Sequence, residues 1–245
     1  LMLHAMLHAG LADRCDRTLE SFPERQKRNG YFQSQEGEWD SNGQVLWILD
    51  RFDRVTGRPP GPRRIQAVLK GADWIRKKRI RTGTNLPHEG LFPPGFSAEH
   101  LGPNDYYYWD ALWGAAGLHG AARLMRSYAD NEKGSRLALE AEDLEEALFR
   151  SIGQSPGYRL HGAVPAAPYR RMDAGAVGSL AADYPLQITP PGDPRILRTV
   201  DYLLAHCFCD GAFFQDMIHS GLNVYLTLAI AQPLLRAEDE RFQGL

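Results

Sequence analysis

Apolar residues recur three and four positions apart in nearly every patterned stretch of this chain, the spacing of one face of an α-helix. Strand-type alternation is sparse. The pattern predicts helices over Leu11 to about Phe22, Ser41–Thr56, Arg63–Lys78, Tyr106–Tyr128, Ser135–Ile152, 172–184, 193–206 and 220–236. In the second of these, Val45, Leu46, Leu49 and Phe52 form one stripe. Asp40 or Ser41 stands where an N-cap belongs, and Gly57 and Pro59 end the helix. Ile65, Val68, Leu69, Ala72 and Ile75 form the apolar face of the next. Pro194 suits the first turn of its helix. The stretch "DGAFFQ", Asp210 to Gln215, is expected to form a short hairpin arm.

The expected helices are of two alternating kinds. Those over 41–56, 106–128, 172–184 and 220–236 are rich in small residues and apolar around most of their circumference, which marks a buried helix. Those over 63–78, 135–152 and 193–206 carry one charged face, which marks a peripheral one. Each inner-type helix opens on a related phrase: "WDSNGQVLWIL", "WDALWGAAGL", "MDAGAVGSL" and "IHSGLNVYLTL". A polar residue comes first and a glycine follows two to four positions on, an internal repeat spaced by tens of residues. Repeated outer and inner helices build either an open α-solenoid or a closed ring of helical hairpins. The expected fold class is all-α, an incomplete (α/α) toroid in which residues 1–245 form one catalytic domain or a piece of one. Asp40, Asp110, Asp173 and His219 would then stand at equivalent ends of the inner helices, facing one funnel.

The 245 residues are 43 % hydrophobic and 24 % charged, with a net charge of −2. That is ordinary globular usage, and no basic patch argues for nucleic acid. No apolar run reaches the length needed to span a bilayer, the longest being broken by Thr227, Gln232 and Pro233. The cysteines, Cys15, Cys207 and Cys209, suit neither a disulfide framework nor a zinc site. They read as buried free thiols in a reducing compartment, which gives a cytoplasmic expectation. The opening "LMLHAMLHAG" has no N-cap and no signal-peptide pattern, so the sequence reads as starting inside a longer protein. There is no nucleophile elbow, P-loop or dinucleotide fingerprint.

Candidate chemistry gathers between His88 and Trp109. Each aspartate at a helix start could simply cap its helix or favour its dipole. Caps, however, do not call for flat aromatics, and Trp39, Trp109 and Tyr106 to Tyr108 adjoin them. Pyranose rings stack on indole and phenol faces, while carboxylates bond their hydroxyls. The competing reading of those aromatics is core packing. Glu89 and Glu99 lie in a loop rich in proline and glycine, where a lone glutamate is commonly solvated. A carboxyl held against aromatic surface has its charged form disfavoured, which keeps a general acid protonated near neutral pH. His88, His100 and His219 could orient or bond hydroxyls, or be structural.

The stretch "EWDSNGQVLWIL" followed by "EGLFPPGFSAEHLGPNDYYYWDALWGAAGLHGAARL" resembles the six-hairpin (α/α)6 glycosidases, with similarity to the glucoamylase-like enzymes of glycoside hydrolase family 15. That family opens an inner helix with a Q-x-D-x-x-G-E type phrase, matched here by Glu38 to Gln44. It carries its general acid in a W-E-x-R loop ahead of a tyrosine-rich helix start. Glu99 stands eight residues before Tyr107 and takes that place. No tryptophan precedes it, and His100 and Leu101 replace x-Arg. The matching motifs lie within residues 36 to 128.

The resemblance implies an inverting glycosidase acting on α-glucosidic linkages, with Glu99 as acid. Trp39, Asp40, Tyr107, Trp109, Asp110, Asp173 and His219 would line the sugar site. The expected partner is a carbohydrate substrate, with no nucleic acid, no membrane, no metal and no organic cofactor. The family's base lies in a late hairpin, and no base-bearing motif appears before Leu245. One rival is a polysaccharide lyase or sugar epimerase on the same toroid, which would use Tyr107 or His219 in place of Glu99. The other is a non-catalytic helical-repeat binding protein.

Overall fold

The computed structural model describes residues 1–81, 83–97, 104–216 and 220–245. Among these, ten α-helices carry the chain, with two 3-10 helices and three very short strands. The chain divides into two compact units, Leu1–Arg79 with Trp113–Glu145, and Ile80–Leu112 with Glu146–Leu245. Helices α6, Tyr108–Tyr128, and α7, Asn131–Gln154, each contribute to both.

The first unit contains α1, Met2–His8, α2, Ala12–Glu20, the single turn α3, Phe22–Arg25, then α4, Ser41–Thr56, and α5, Pro62–Lys78. Helix α4 is buried around most of its girth, from Asn42 and Gly43 through Leu46, Leu49 and Phe52. Gly57 ends it in a left-handed conformation, its N–H donating to the Asp53 carbonyl at 2.8 Å. Helix α5 buries Val68, Ala72 and Ile75 and keeps Arg76 and Lys77 in water, as a peripheral helix should.

The glycine in "WDSNG" has a packing reason. A Cβ on Gly43 would sit under 3.0 Å from the backbone of Trp113 and Gly114, so α4 and α6 touch there backbone to backbone. Asn42 next to it is fully buried and clamps three segments. Its Oδ1 accepts from Phe32 N at 2.7 Å, and its Nδ2 donates to the carbonyls of Gly30 and Gly71 at 3.0 Å each.

The second unit contains a loop from Ile80 to Tyr107, the first turn of α6, the end of α7, α8, Pro156–His161, a 3-10 helix, Ala174–Ala182, α9, Pro194–His206, and α10, Val224–Arg236. The expected α-helix over 172–184 is thus a 3-10 helix, buried at every residue. Its alanines and glycines have so little bulk that the tighter winding fits against its neighbours. The inner helix expected from 220 begins only at Val224, because Gly221 and Leu222 form strand β3. The hairpin at "DGAFFQ" is present: β1, Phe208–Cys209, pairs antiparallel with β2, Ala212–Gln215, and β2 pairs with β3. Asp210 and Gly211 both have positive φ, as a two-residue hairpin turn needs.

Tyr106 and Tyr107 lie outside α6, whose start is pinned by Tyr108 N donating to the Ala166 carbonyl at 2.9 Å. The thiols correct one expectation. Cys15 is buried, but Cys207 is half-buried and Cys209 exposed, both at the hairpin edge. No helix among the described residues is long and apolar enough to cross a membrane.

Candidate functional site

Glu99 and His100 fall in residues 98–103, and His219 in 217–219, outside the described residues. The stems of the Glu99 loop are nevertheless defined. Gly95 and Asp105 exchange two backbone hydrogen bonds, of 2.9 and 3.1 Å, so the loop starts and ends at one pair. Asp105 then turns the chain into Tyr106, its Oδ1 accepting from Tyr106 N at 2.8 Å.

The three successive tyrosines have three fates. Tyr108 is fully buried with its hydroxyl 3.1 Å from Ser151 Oγ, and burial drives its pKa upward. Tyr107 is also buried, packed with Ala166, Ala167 and the half-buried Trp109. Its hydroxyl accepts from Arg170 at 3.4 Å, and burial raises its pKa. Tyr106 is half-buried, with its ring stacked on His88 at 4.2 Å and 10°.

Arg170 was not foreseen from the sequence. It donates to Asp173 Oδ2 at 2.7 Å, and so joins Asp173 to Tyr107. Asp173 also accepts from Gly175 N at 2.9 Å, capping the 3-10 helix. The cap reading therefore holds for this carboxylate. Arg170 and Asp173 line an open cleft of about 790 Å³ with mixed polar and apolar walls, with Tyr202, His206, Phe208 and Asp216 also in its wall. Tyr202 is held there by donating to the Met172 carbonyl at 3.1 Å, and His161 and His206 lie against its ring at 5.2 and 4.6 Å. Cys207 borders the cleft, but burial and the nearby Asp173 and Asp216 charges push its thiol up to about 11. That disfavours its thiolate near neutral pH. The signal that could have found Arg170 is its place three residues ahead of Asp173, within "YRRMD".

The other expected residues have different surroundings. Asp110, 2 % exposed, is enclosed within the first turn of α6. In the first unit, Asp40 accepts from Gln44 Nε2 at 2.6 Å. Trp39 has Lys78 Nζ over its ring at 3.6 Å, with Tyr31 and Trp74 beside it. A cation occupies a ring face there. Glu89, the second loop glutamate, accepts from Gly83 N, Thr84 N and Thr84 Oγ1 at 2.6 to 2.9 Å, which commits it to holding its own turn. The first unit also has a cleft, of about 560 Å³, but its walls are mainly apolar, with Met2, Met6, Phe22, Val45 and Trp113 among them.

Two solved structures share the fold. A glycosidase carrying a glutamate-to-alanine substitution matches with a TM-score of 0.71 at 13 % identity, over 98 % of this chain and 69 % of its own. A second glutamate-to-alanine glycosidase, in complex with glucose, matches with a TM-score of 0.67 at 13 % identity and the same coverage. The chain thus has the all-α, helical-hairpin fold of these proteins. No family model matches the sequence, and no curated protein matches it.

Proposed function

We propose that this chain belongs to a glycoside hydrolase that inverts the anomeric centre of α-glucosidic linkages in oligo- or polysaccharides. All 245 residues are read as one (α/α)-barrel catalytic domain or part of one. The observation that carries the reading is the Arg170–Asp173 pair in the wall of an open cleft, in a fold shared with solved glycosidases. A fixed guanidinium beside a fixed carboxylate offers donors and acceptors to neighbouring hydroxyls of one sugar ring. Tyr107 works behind them, its hydroxyl holding Arg170 in place. Glu99 is the proposed acid. Its loop is anchored at Gly95 and Asp105, in the same unit as the cleft. Trp109, Asp110 and His219 belong to the proposed sugar-site set as well.

The lyase or epimerase reading draws less support. It would use Tyr107 or His219 as a base; His219 lies outside the described residues, and the burial that raises the Tyr107 phenol's pKa works against its losing a proton near neutral pH.

The test is turnover of an α-glucoside by the full-length protein and its Glu99→Gln variant. The amide should leave sugar binding intact and lower the rate by about 10²-fold or more. The loss should shrink for substrates whose leaving group needs no proton. Unchanged turnover would remove Glu99 from the reaction.

A further inference from the structure

Three aromatic side chains in the second unit form a cluster that the cleft itself does not include. His88 and Tyr106 stack face to face, with ring centroids 4.2 Å apart. Tyr169 lies edge-on to both, at 5.8 and 6.0 Å, and its hydroxyl is 2.7 Å from His88 Nδ1. Two of the three rings come from the loop and its stem, and the third from the segment before the 3-10 helix. A core cluster would be closed over, yet Tyr169 is 51 % exposed. Its hydroxyl is fixed by His88, so the ring is held in one pose while much of it remains in water.

The position gives the cluster its meaning. Tyr169 is the residue before Arg170, whose guanidinium holds Asp173 in the cleft wall. Tyr106 is the residue after Asp105, which closes the Glu99 loop. The cluster therefore neighbours Arg170 along the chain on one side and the loop stem on the other, and the Asp105 charge acts on both Arg170 and Tyr169, while none of the three rings lines the cleft wall. Tyr107 and Tyr108, the more obvious stacking candidates, are buried and have no face to offer.

We propose that Tyr169, backed by His88 and Tyr106, is a stacking platform for a second sugar ring of an oligosaccharide whose first ring is held at Arg170 and Asp173. Resting on the glycosidase reading, this makes an oligosaccharide, not a single glucoside, the preferred ligand. The apolar face of a pyranose lies on a phenol ring, and an immobile ring gives up little conformational freedom on binding.

The experiment titrates glucose and maltotriose, by calorimetry, into the full-length protein carrying Glu99→Gln, alone and combined with Tyr169→Ala or Tyr169→Phe. Tyr169→Ala should weaken maltotriose by about tenfold and leave glucose unchanged. Tyr169→Phe keeps the ring and should bind maltotriose close to normally. Tyr106→Ala, which removes the backing ring, should reproduce part of the loss. Maltotriose affinity unchanged in Tyr169→Ala, an equal loss for both sugars, or no maltotriose binding at all would each overturn the platform. Turnover of the single Glu99→Gln variant is read separately. If it equals the unsubstituted protein's while Tyr169→Ala still selectively loses maltotriose, the platform stands and the catalytic assignment falls.

Discussion

Trp39–Asp40 in the first unit and Trp109–Asp110 in the second are the same dipeptide at the start of two helices, in unlike surroundings. Trp39 is covered by a lysine and Asp40 is tied to Gln44 one turn on. Trp109 packs against Tyr107 and two alanines, and Asp110 is enclosed. The larger contrast lies in where each unit spends its guanidinium groups. In the first unit Arg123 reaches across from α6 to the buried Asp50 and Asp53 of α4, where Tyr128 also donates to Asp53. The guanidinium groups of Arg64 and Arg79 are buried, and their partners Asp16 and Asp143 are partly exposed. In the second unit Arg170 and Asp173 form their pair in the wall of an open cleft. The Arg170 and Asp173 side chains, 20 % and 23 % exposed, are no more open to water than the Arg123 guanidinium at 35 %; what sets them apart is that they line a cleft. The difference is one of position, which the dipeptide does not encode.

The contrast can be broken experimentally, and the strongest blow falls on the first unit. Arg123→Met leaves two buried carboxylates without their shared cation, so it should cost roughly 3 kcal/mol of stability. Denaturant titration would read this as a lower midpoint. A midpoint unchanged from that of the unsubstituted protein would mean that the network adds nothing.

Arg170→Met should do the reverse. Its pair with Asp173 is partly exposed, so stability should change by about 1 kcal/mol at most. Sugar affinity should fall by about tenfold, because a charge-assisted donor is gone. Equal loss of stability in the two variants would erase the distinction between the units.

The smallest effect concerns pH. His119 Nε2 lies 2.9 Å from Glu145 Oε1, and this hydrogen bond raises the imidazole's pKa. A raised folded-state pKa stabilises fully below the unfolded value of about 6.5 and is lost as pH climbs through the folded value. Stability should therefore decline on going alkaline from about pH 6.5, by less than about 1 kcal/mol for this partly exposed pair. Denaturation midpoints of His119→Gln should lack that decline.

Helix content was legible because periodicity follows burial directly, but the expected buried character did not hold for α10, where Val224, Tyr225, Leu228 and Leu235 are exposed. Leu46, Leu49 and Phe52 are buried as their stripe required. The 3-10 winding of Ala174–Ala182 was not, since alanines and glycines carry no period that separates the two helix types. Asp173 was legible as a polar helix start, yet its partner was not. Arg170 acts through a contact to Tyr107, sixty-three positions away, that no local spacing records. Tyr107 and Tyr108 looked like stacking faces because composition shows an aromatic without its burial. Only Tyr106 of the three remains partly open.

The paired stems of the Glu99 loop have a consequence for protein engineering. Gly95 and Asp105 hold each other by two backbone hydrogen bonds, which depend on neither side chain. Whatever sequence is spliced between them begins and ends at the same anchored pair. Doubling such a segment adds only about 0.6 kcal/mol of closure entropy. With the buried Ser97 and the proposed acid Glu99 kept, the stretch can therefore be lengthened from a fixed base.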